Sequence, residues 1–145
     1  MTYNQVVAEI QTILQSHAMI NEVKFVSPVE WLARDSQPIF PIACYEINSG
    51  SLNIGREQSY SVNLWILDKS GMEAELEPDV VSDTHSILAD IVSKMRSKSK
   101  SYIIDDNIAW TAINDKYEDY LSGVTCTFGL SVVSDFDACN MPTNN

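Results

Sequence analysis

The sequence predicts an α+β fold, a two-layer sandwich of a mostly antiparallel sheet of about five strands with two amphipathic helices, in the order α-β-β-β-α-β-β. Two segments repeat apolar residues at three- and four-residue steps, as helices do when they bury one face. Other segments alternate apolar and polar residues, as half-buried strands do. Strands and helices do not alternate regularly along the chain, so the sequence gives no indication of a parallel sheet. Both helices need an apolar surface to cover, and a sheet provides one.

The size of the chain fits one domain. Its 145 residues, 45% of them hydrophobic and 20% charged, have the composition of an ordinary globular unit. We expect residues 1–134 to form a single α+β domain and residues 135–145 to form an irregular C-terminal tail. No apolar run approaches the roughly 18 residues of a membrane span, and the first residues lack the pattern of a signal peptide. Folding in a reducing cytoplasm is therefore the expectation.

The first helix is predicted from Tyr3 to about Ala18, with apolar residues recurring on one stripe. Thr2 or Asn4 is its expected N-cap. His17 lies on the same stripe at the helix end. It is either a functional group or, as the pattern favours, a side chain placed against the negative end of the helix dipole.

The second helix begins at Pro78, which suits the first helical position. A wide apolar stripe runs from Val80 to Met95. Acidic residues open this helix and four basic residues close it, so each end carries the charge that the macrodipole favours. The opening acids are Glu77, Asp79 and Asp83, and the basic cluster is Lys94, Arg96, Lys98 and Lys100.

The strands are predicted at residues 23–27, 42–47, 60–66, 108–113 and 121–133. Prolines bracket residues 28–41, which are expected to be loop, edge strand or the start of a strand, with Trp31 and Leu32 either on the core or offered to a partner. Residues 48–56 have turn chemistry at both ends, which predicts a hairpin whose arm projects. Gly129 marks a bulge or a close contact in the last strand.

The residues predict no catalytic, metal or cofactor site. A net charge of −11, from 20 acidic and 9 basic side chains, argues against gripping nucleic-acid phosphates. Cys44, Cys126 and Cys139 form no close pair, and the first two sit in apolar strands as buried thiols. The sequence has only two histidines, and it contains neither a phosphate-binding loop nor a nucleophile motif. No group of residues therefore has the pattern of an enzyme active site. Asp79 and Asp83 share a helix face near the N-terminus. This placement fits a favourable interaction with the positive end of the helix dipole better than it fits a metal site.

Apolar side chains in otherwise polar loops indicate candidate contacts with a partner, because such side chains are normally buried by something. Leu52, Ile54 and Arg56 on the hairpin arm come first, with folding back onto the sheet as the alternative. The next candidates lie in the second loop and in the tail: Met72, Leu76, Phe136 and Met141. The basic cluster has three possible interpretations: it contacts phosphate groups, it is the frayed end of the helix, or it is a docking patch for an acidic neighbour.

Three motifs in the last third of the chain carry a resemblance: Ile108-Ala-Trp-Thr-Ala-Ile113, Tyr117-Glu-Asp-Tyr-Leu-Ser-Gly123 and Phe136-Asp-Ala-Cys-Asn-Met-Pro142. They resemble the C-terminal part of phage tail terminator and neck (tail-completion) proteins. In that family an acidic and aromatic stretch leads through Leu-x-Gly into a final strand and a short tail with Cys and Pro. The order of helices and hairpin is similar to the family over nearly the whole chain.

The resemblance implies a structural virion protein without enzymatic activity or cofactors. It would form a ring, usually a hexamer, at the head-proximal end of the tail tube, stop tube polymerisation and join the tail to the head connector. Its partners would be further copies, the tail tube protein and a head-completion protein. DNA would pass through the lumen without specific binding, no membrane would be involved, and the protein would assemble in the host cytoplasm and reside in the virion neck. An acidic lumen would repel DNA and let it slide.

Other readings of the sequence remain open. Within the structural class, the chain could be a stopper or head–tail joining protein. In a different class, it could be an acidic inhibitor that mimics DNA, although the carboxylates are spread among patterned strands. A small enzyme or ligand-binding domain is the third class, and no constellation of residues supports it.

Overall fold

A computed structural model describes residues 1–34, 37–70, 77–97, 100–116, 121–133 and 141–143, without the side chains of residues 115 and 116. Three helices and six strands follow one another along the chain. In order they are α1 (Tyr3–Gln15), β1 (Glu22–Lys24), α2 (Pro28–Arg34), β2 (Ile42–Asn53), β3 (Glu57–Lys69), α3 (Glu77–Met95), β4 (Tyr102–Ile104), β5 (Trp110–Lys116) and β6 (Leu121–Val133).

The strands form one mixed sheet in the order β1-β2-β3-β6-β4, with β5 also paired to β6. β1 and β2 are parallel, while every other pair is antiparallel. β3 and β6 lie at the centre and pair over their whole length, from Glu57 opposite Val133 to Lys69 opposite Leu121. β2 and β3 form a long hairpin whose register shifts once, between Ile47 and Ser49.

The larger core lies between one face of the sheet and helices α1 and α3. Strand residues that alternate along β2, β3 and β6 contribute to it, including Tyr45, Leu64 and Phe128. The apolar stripes of both helices complete this core. On the other sheet face, the described residues form a smaller cluster at one end, where the buried Trp31 of α2 packs with Ile42 and Leu67. Further along that face, several side chains are short and polar, such as Ser61 and Thr127.

The N-terminus of α1 is fixed by a capping box. The Thr2 hydroxyl accepts a hydrogen bond from the Gln5 backbone N–H (3.3 Å), and the Gln5 side chain accepts one from the Thr2 N–H (2.7 Å). Thr2 is therefore the N-cap, one of the two residues that the sequence predicts. The helix ends at Gln15, earlier than predicted, and the Ser16 hydroxyl donates to the Ile13 carbonyl (2.6 Å).

The α+β class is confirmed, but the order of elements differs from the prediction by one helix and one strand. α2 occupies residues that were expected to be loop. Its first residue is Pro28, and the Ser27 hydroxyl accepts the Glu30 N–H (3.3 Å), so the proline begins a helix here and does not mark a loop. β4 spans three residues, too few to show an alternating pattern. β1 starts and ends earlier than predicted, and β2 extends to Asn53.

His17 connects the two long helices, in contrast to the predicted dipole contact. It lies beyond the end of α1, and its Nε2 is 2.8 Å from Oδ2 of Asp90 on α3. Its Nδ1 accepts the Met19 backbone N–H (3.1 Å). Because Nδ1 is an acceptor, the ring hydrogen is on Nε2 and is donated to the carboxylate.

Gly129 makes the close contact that the sequence suggested. Its N–H donates to the Asp105 carboxylate (2.7 Å), and its carbonyl accepts the Asp105 N–H (3.1 Å). A Cβ at this position would touch the same carboxylate. Gly129 therefore gives Asp105 room beside the central strand. Among the described residues, no helix has both the length and the apolar character needed to cross a membrane.

We expect Gly123→Ala to destabilise the protein strongly. A Cβ at Gly123, on a central strand between β3 and β5, would overlap the Ile66 carbonyl oxygen, and backbone on both sides prevents a shift. Overpacking of this kind costs about 1–3 kcal/mol or more. Urea unfolding followed by circular dichroism measures it.

Gly55→Asn is the matched control for that substitution. Gly55 has a φ of 84° but no atom within 4 Å of its would-be Cβ, and asparagine tolerates the left-handed region. We expect a loss below about 1 kcal/mol. Equal losses in the two variants would show that the close approach of Ile66 is not what requires glycine at position 123.

Candidate functional site

The end of the β2–β3 hairpin is the most prominent exposed feature, and we call residues 49–57 the arm. Its strands pair up to Asn53 opposite Glu57, and the turn contains two residues with positive φ, Gly55 (84°) and Arg56 (67°). β6 accompanies β3 to the same level, because Glu57 also pairs with Val133. The arm is therefore the end of the sheet itself and not a separate ribbon.

The apolar side chains of the arm do not fold back onto the sheet. Leu52 is 77% exposed and Ile54 is fully exposed. Leu52 pairs with Gln58, which pairs in turn with the buried Val132, so Leu52 lies on the sheet face that carries α1 and α3. Both are therefore apolar candidate residues without cover in the described part of the chain.

The outer edge of the arm has no strand partner among the described residues. β1 pairs with β2 only from Ile42 to Cys44. Beyond that point, the Tyr3 hydroxyl donates to the Ile47 carbonyl (3.2 Å), at the base of the arm. An edge with unpaired backbone groups is a template for another strand. No lysine, arginine or proline occupies β2 beyond Ile47 to block such pairing.

The opposite edge of the sheet is formed by β4 and β5, which both run antiparallel to β6. Tyr102 to Ile104 pair with Val132 to Leu130, and Trp110 to Ile113 pair with Cys126 to Gly123. The two strands are thus one edge path with an interruption at residues 105–109. Neither has a second strand neighbour in the described ranges.

A groove runs between this edge and α3. Trp110 is partly exposed, and its ring centroid is 4.6 Å from that of His85 on α3. The groove has an upper part beside residues 106–108 and a lower part beside residues 110–114. The lower part has a volume of about 500 Å³. Its walls are formed by the helix residues Val81, Ser82 and His85 and by the strand residues Trp110, Ala112 and Asn114. Trp110 and Ala112 pair with the core residues Cys126 and Val124 and so point to the same sheet face as Leu52.

The basic cluster is used within the chain. Lys94 Nζ donates to the Ser16 hydroxyl (2.6 Å), which links the C-terminal ends of α3 and α1. Lys100 forms an ion pair with Glu9 (3.0 Å). Nη2 of Arg96 donates to the carbonyls of Asp105 (2.8 Å) and Asp106 (2.7 Å). These three cations therefore hold the domain together. Lys98 lies outside the described residues.

The remaining candidates carry less information. Met72, Leu76 and Phe136 lie outside the described residues, as does Cys139. Met141 is exposed within a short described segment. Arg56 is exposed at the arm turn and has no hydrogen-bond or ion-pair partner in the described part of the chain.

Chemistry at the thiols and carboxylates is limited by their placement. Burial raises the pKa of the Cys126 thiol to about 11 and raises that of Cys44 further, so both thiols stay protonated at neutral pH. Within the ranges that the structure describes, no three His, Cys, Asp or Glu side chains come together as a metal site. Asp79 and Asp83 lie exposed on α3.

Sequence reasoning missed His85 and Trp110. The strand containing Trp110 was predicted, but only the topology shows that it is an edge strand beside α3. The sequence alone carries no signal for this groove, because neither the exposure of Trp110 nor its proximity to His85 can be read from it. The sequence matches no model of a known protein family, and no curated protein is found to be similar to it.

We expect Arg96→Met to lower the free energy of unfolding by about 1–2 kcal/mol, because two carbonyls lose a charged donor. Arg34→Met is the matched control, since Arg34 makes only an exposed pair with Glu30 (2.7 Å), and its loss should stay below about 0.5 kcal/mol. Urea unfolding measures both. Equal losses would mean that Arg96 does not fix the connection between β4 and β5.

Proposed function

We propose that this chain is a phage tail terminator. Copies of it would form a ring, a hexamer by the resemblance, at the head-proximal end of the tail tube. The ring would stop tube polymerisation and join the tail to the head connector. The partners would be further copies of the chain, the tail tube protein and a head-completion protein, and its location would be the neck of the virion.

One observation carries the proposal: in the described part of the chain, the sheet has two edges without a strand partner, on opposite sides. The arm edge of β2 lies on one side, and the edge formed by β4 and β5 lies on the other. Contacts between two different patches on identical subunits are heterologous, and they generate a ring when the rotation closes. A stable monomer normally blocks such edges, and this chain leaves them open.

The direction of the strands supports the same arrangement. β2 and β6 run one way, while β3, β4 and β5 run the other. A second copy that places β2 beside β5 therefore continues the antiparallel alternation of the sheet. We propose that in each copy most of the sheet forms a two-layer sandwich with α1 and α3. Because the sheet would continue from copy to copy, successive copies would present these helices on the same side.

The charge of the chain fits a lumen through which DNA moves. A net charge of −11 on each copy would give a ring a strongly negative surface. A surface of this sign repels phosphates and so favours sliding over binding. Exposed carboxylates such as Asp79 and Asp83 are available for this role.

We expect the double substitution Leu52→Ser with Ile54→Ser to weaken assembly at least tenfold while changing monomer stability by less than about 0.5 kcal/mol, because both side chains are exposed in the monomer. The matched control is Val29→Ser with Ile39→Ser, two residues of similar exposure away from the arm. Light scattering after size-exclusion chromatography measures assembly, and thermal melting measures stability.

The same variants are then tested on purified tail tubes assembled from the tail tube protein of the same genome. The native chain and the control pair should cap the tubes and stop their growth, and the arm variant should not. A native chain that neither forms a ring nor binds tube ends would contradict the proposed function. Equal losses of melting temperature and assembly would contradict the role of the arm.

A further inference from the structure

We propose that the arm of one copy docks into the groove between α3 and β5 of the next copy, as a strand added to the free edge of β5. The inference rests on the proposed ring, since it names the contact that would join neighbouring subunits. The occupant is a second copy of this chain. Addition of a strand to a sheet edge beside a helix is a recurrent way to bind an extended segment.

The two surfaces match in direction and in face. β2 placed beside β5 is antiparallel to it, which follows from the pairing of β2, β3, β6 and β5 within one copy. In a continued sheet, Leu52 then lies on the side of the neighbour's α3, because Leu52, Trp110 and Ala112 all point to the helix-covered face. The side chain of Leu52 thus enters the groove and not the polar face.

The register follows from the side chains on that face. Residues that alternate along paired strands meet in steps of two. Setting Leu52 beside Ala112 brings the turn that follows β2 to the level of Trp110, so that Ile54, the most exposed apolar residue of the arm, lies near the exposed aromatic residue of the groove. Gly50 then lies beside Asn114; it carries no side chain because the backbone of Ser59 occupies the place of a Cβ.

Charge is complementary at the turn of the arm. In this register the turn at residues 54–56 reaches the interruption between β4 and β5 at residues 105–109. Asp106 lies in this interruption and lines the upper groove. Its carboxylate is exposed and has no hydrogen-bond or ion-pair partner in the ranges that the structure describes. Arg56, equally unpartnered there, supplies the opposite charge in a contact between two strongly acidic chains.

Cross-linking tests the docking directly. Leu52→Cys and Ala112→Cys are combined in one chain that also carries Cys139→Ser, and a short bifunctional maleimide joins thiols on neighbouring strands. Cys44 and Cys126 are buried and stay unmodified. The matched control combines Leu52→Cys with Ile39→Cys, which is also exposed but lies outside the groove. We expect a ladder of covalent oligomers up to the ring size for the first pair, and monomer for the control.

Charge exchange provides a second readout. Arg56→Glu should weaken assembly about tenfold, and so should Asp106→Arg, while the two together should restore it to within about threefold of the native chain. Recovery of assembly in the double variant would show that the two side chains contact each other. Backbone strain at position 56 cannot explain such recovery, because a change at Asp106 does not relieve it.

The outcomes separate this inference from the proposed function. Rings that cap tubes, but give no cross-link between positions 52 and 112 and no rescue by charge exchange, would overturn the docking and leave the tail terminator standing. Equal cross-linking of both cysteine pairs would also overturn it. A chain that neither assembles nor caps tubes would overturn both. A ladder specific to the first pair, with rescue, supports the docking.

Discussion

The difference in strand length across the sheet is the constraint on which the rest of the structure depends. β2, β3 and β6 have 12, 13 and 13 residues, while β1 and β4 have 3 each. Short flanking strands cannot cover the backbone of long central ones, so edges at the arm and along β5 have no strand partner in the described part of the chain. Backbone donors and acceptors at an edge need partners, and water or another chain supplies them.

The core and a few polar contacts hold the strands that form these edges. α1 and α3 bury one face of the sheet, the His17–Asp90 contact joins the two helices, and Arg96 holds the connection between β4 and β5. A strand that is already extended and paired on one side loses little further freedom when it pairs on the other. The domain therefore combines a buried core with sheet edges whose strands are already extended and paired on one side.

The sequence was most informative where a pattern is long. The apolar stripe of α3 and the alternation of β3 and β6 predicted those elements, because burial of one face imposes a period on the residues. Short elements carry no period: β4 escaped prediction, and Pro28 suggested a loop although Ser27 and Glu30 supply helix-start chemistry. The basic cluster at the end of α3 left a phosphate contact, a fraying helix end and a docking patch open, because the partners Glu9 and Ser16 are distant in sequence and only the fold brings them near. The groove at Trp110 was unpredictable for the same reason, since the chain does not reveal which strand lies at an edge.

Amide hydrogen exchange, compared between monomer and assembled ring, measures most directly whether open edges join the copies. Edge pairing predicts that amides in residues 50–53 and 110–113 exchange at least tenfold more slowly in the ring, while those of α2 exchange equally in both states. Protection confined to α2 and β1, with unchanged exchange at the arm and at β5, would contradict assembly through these edges.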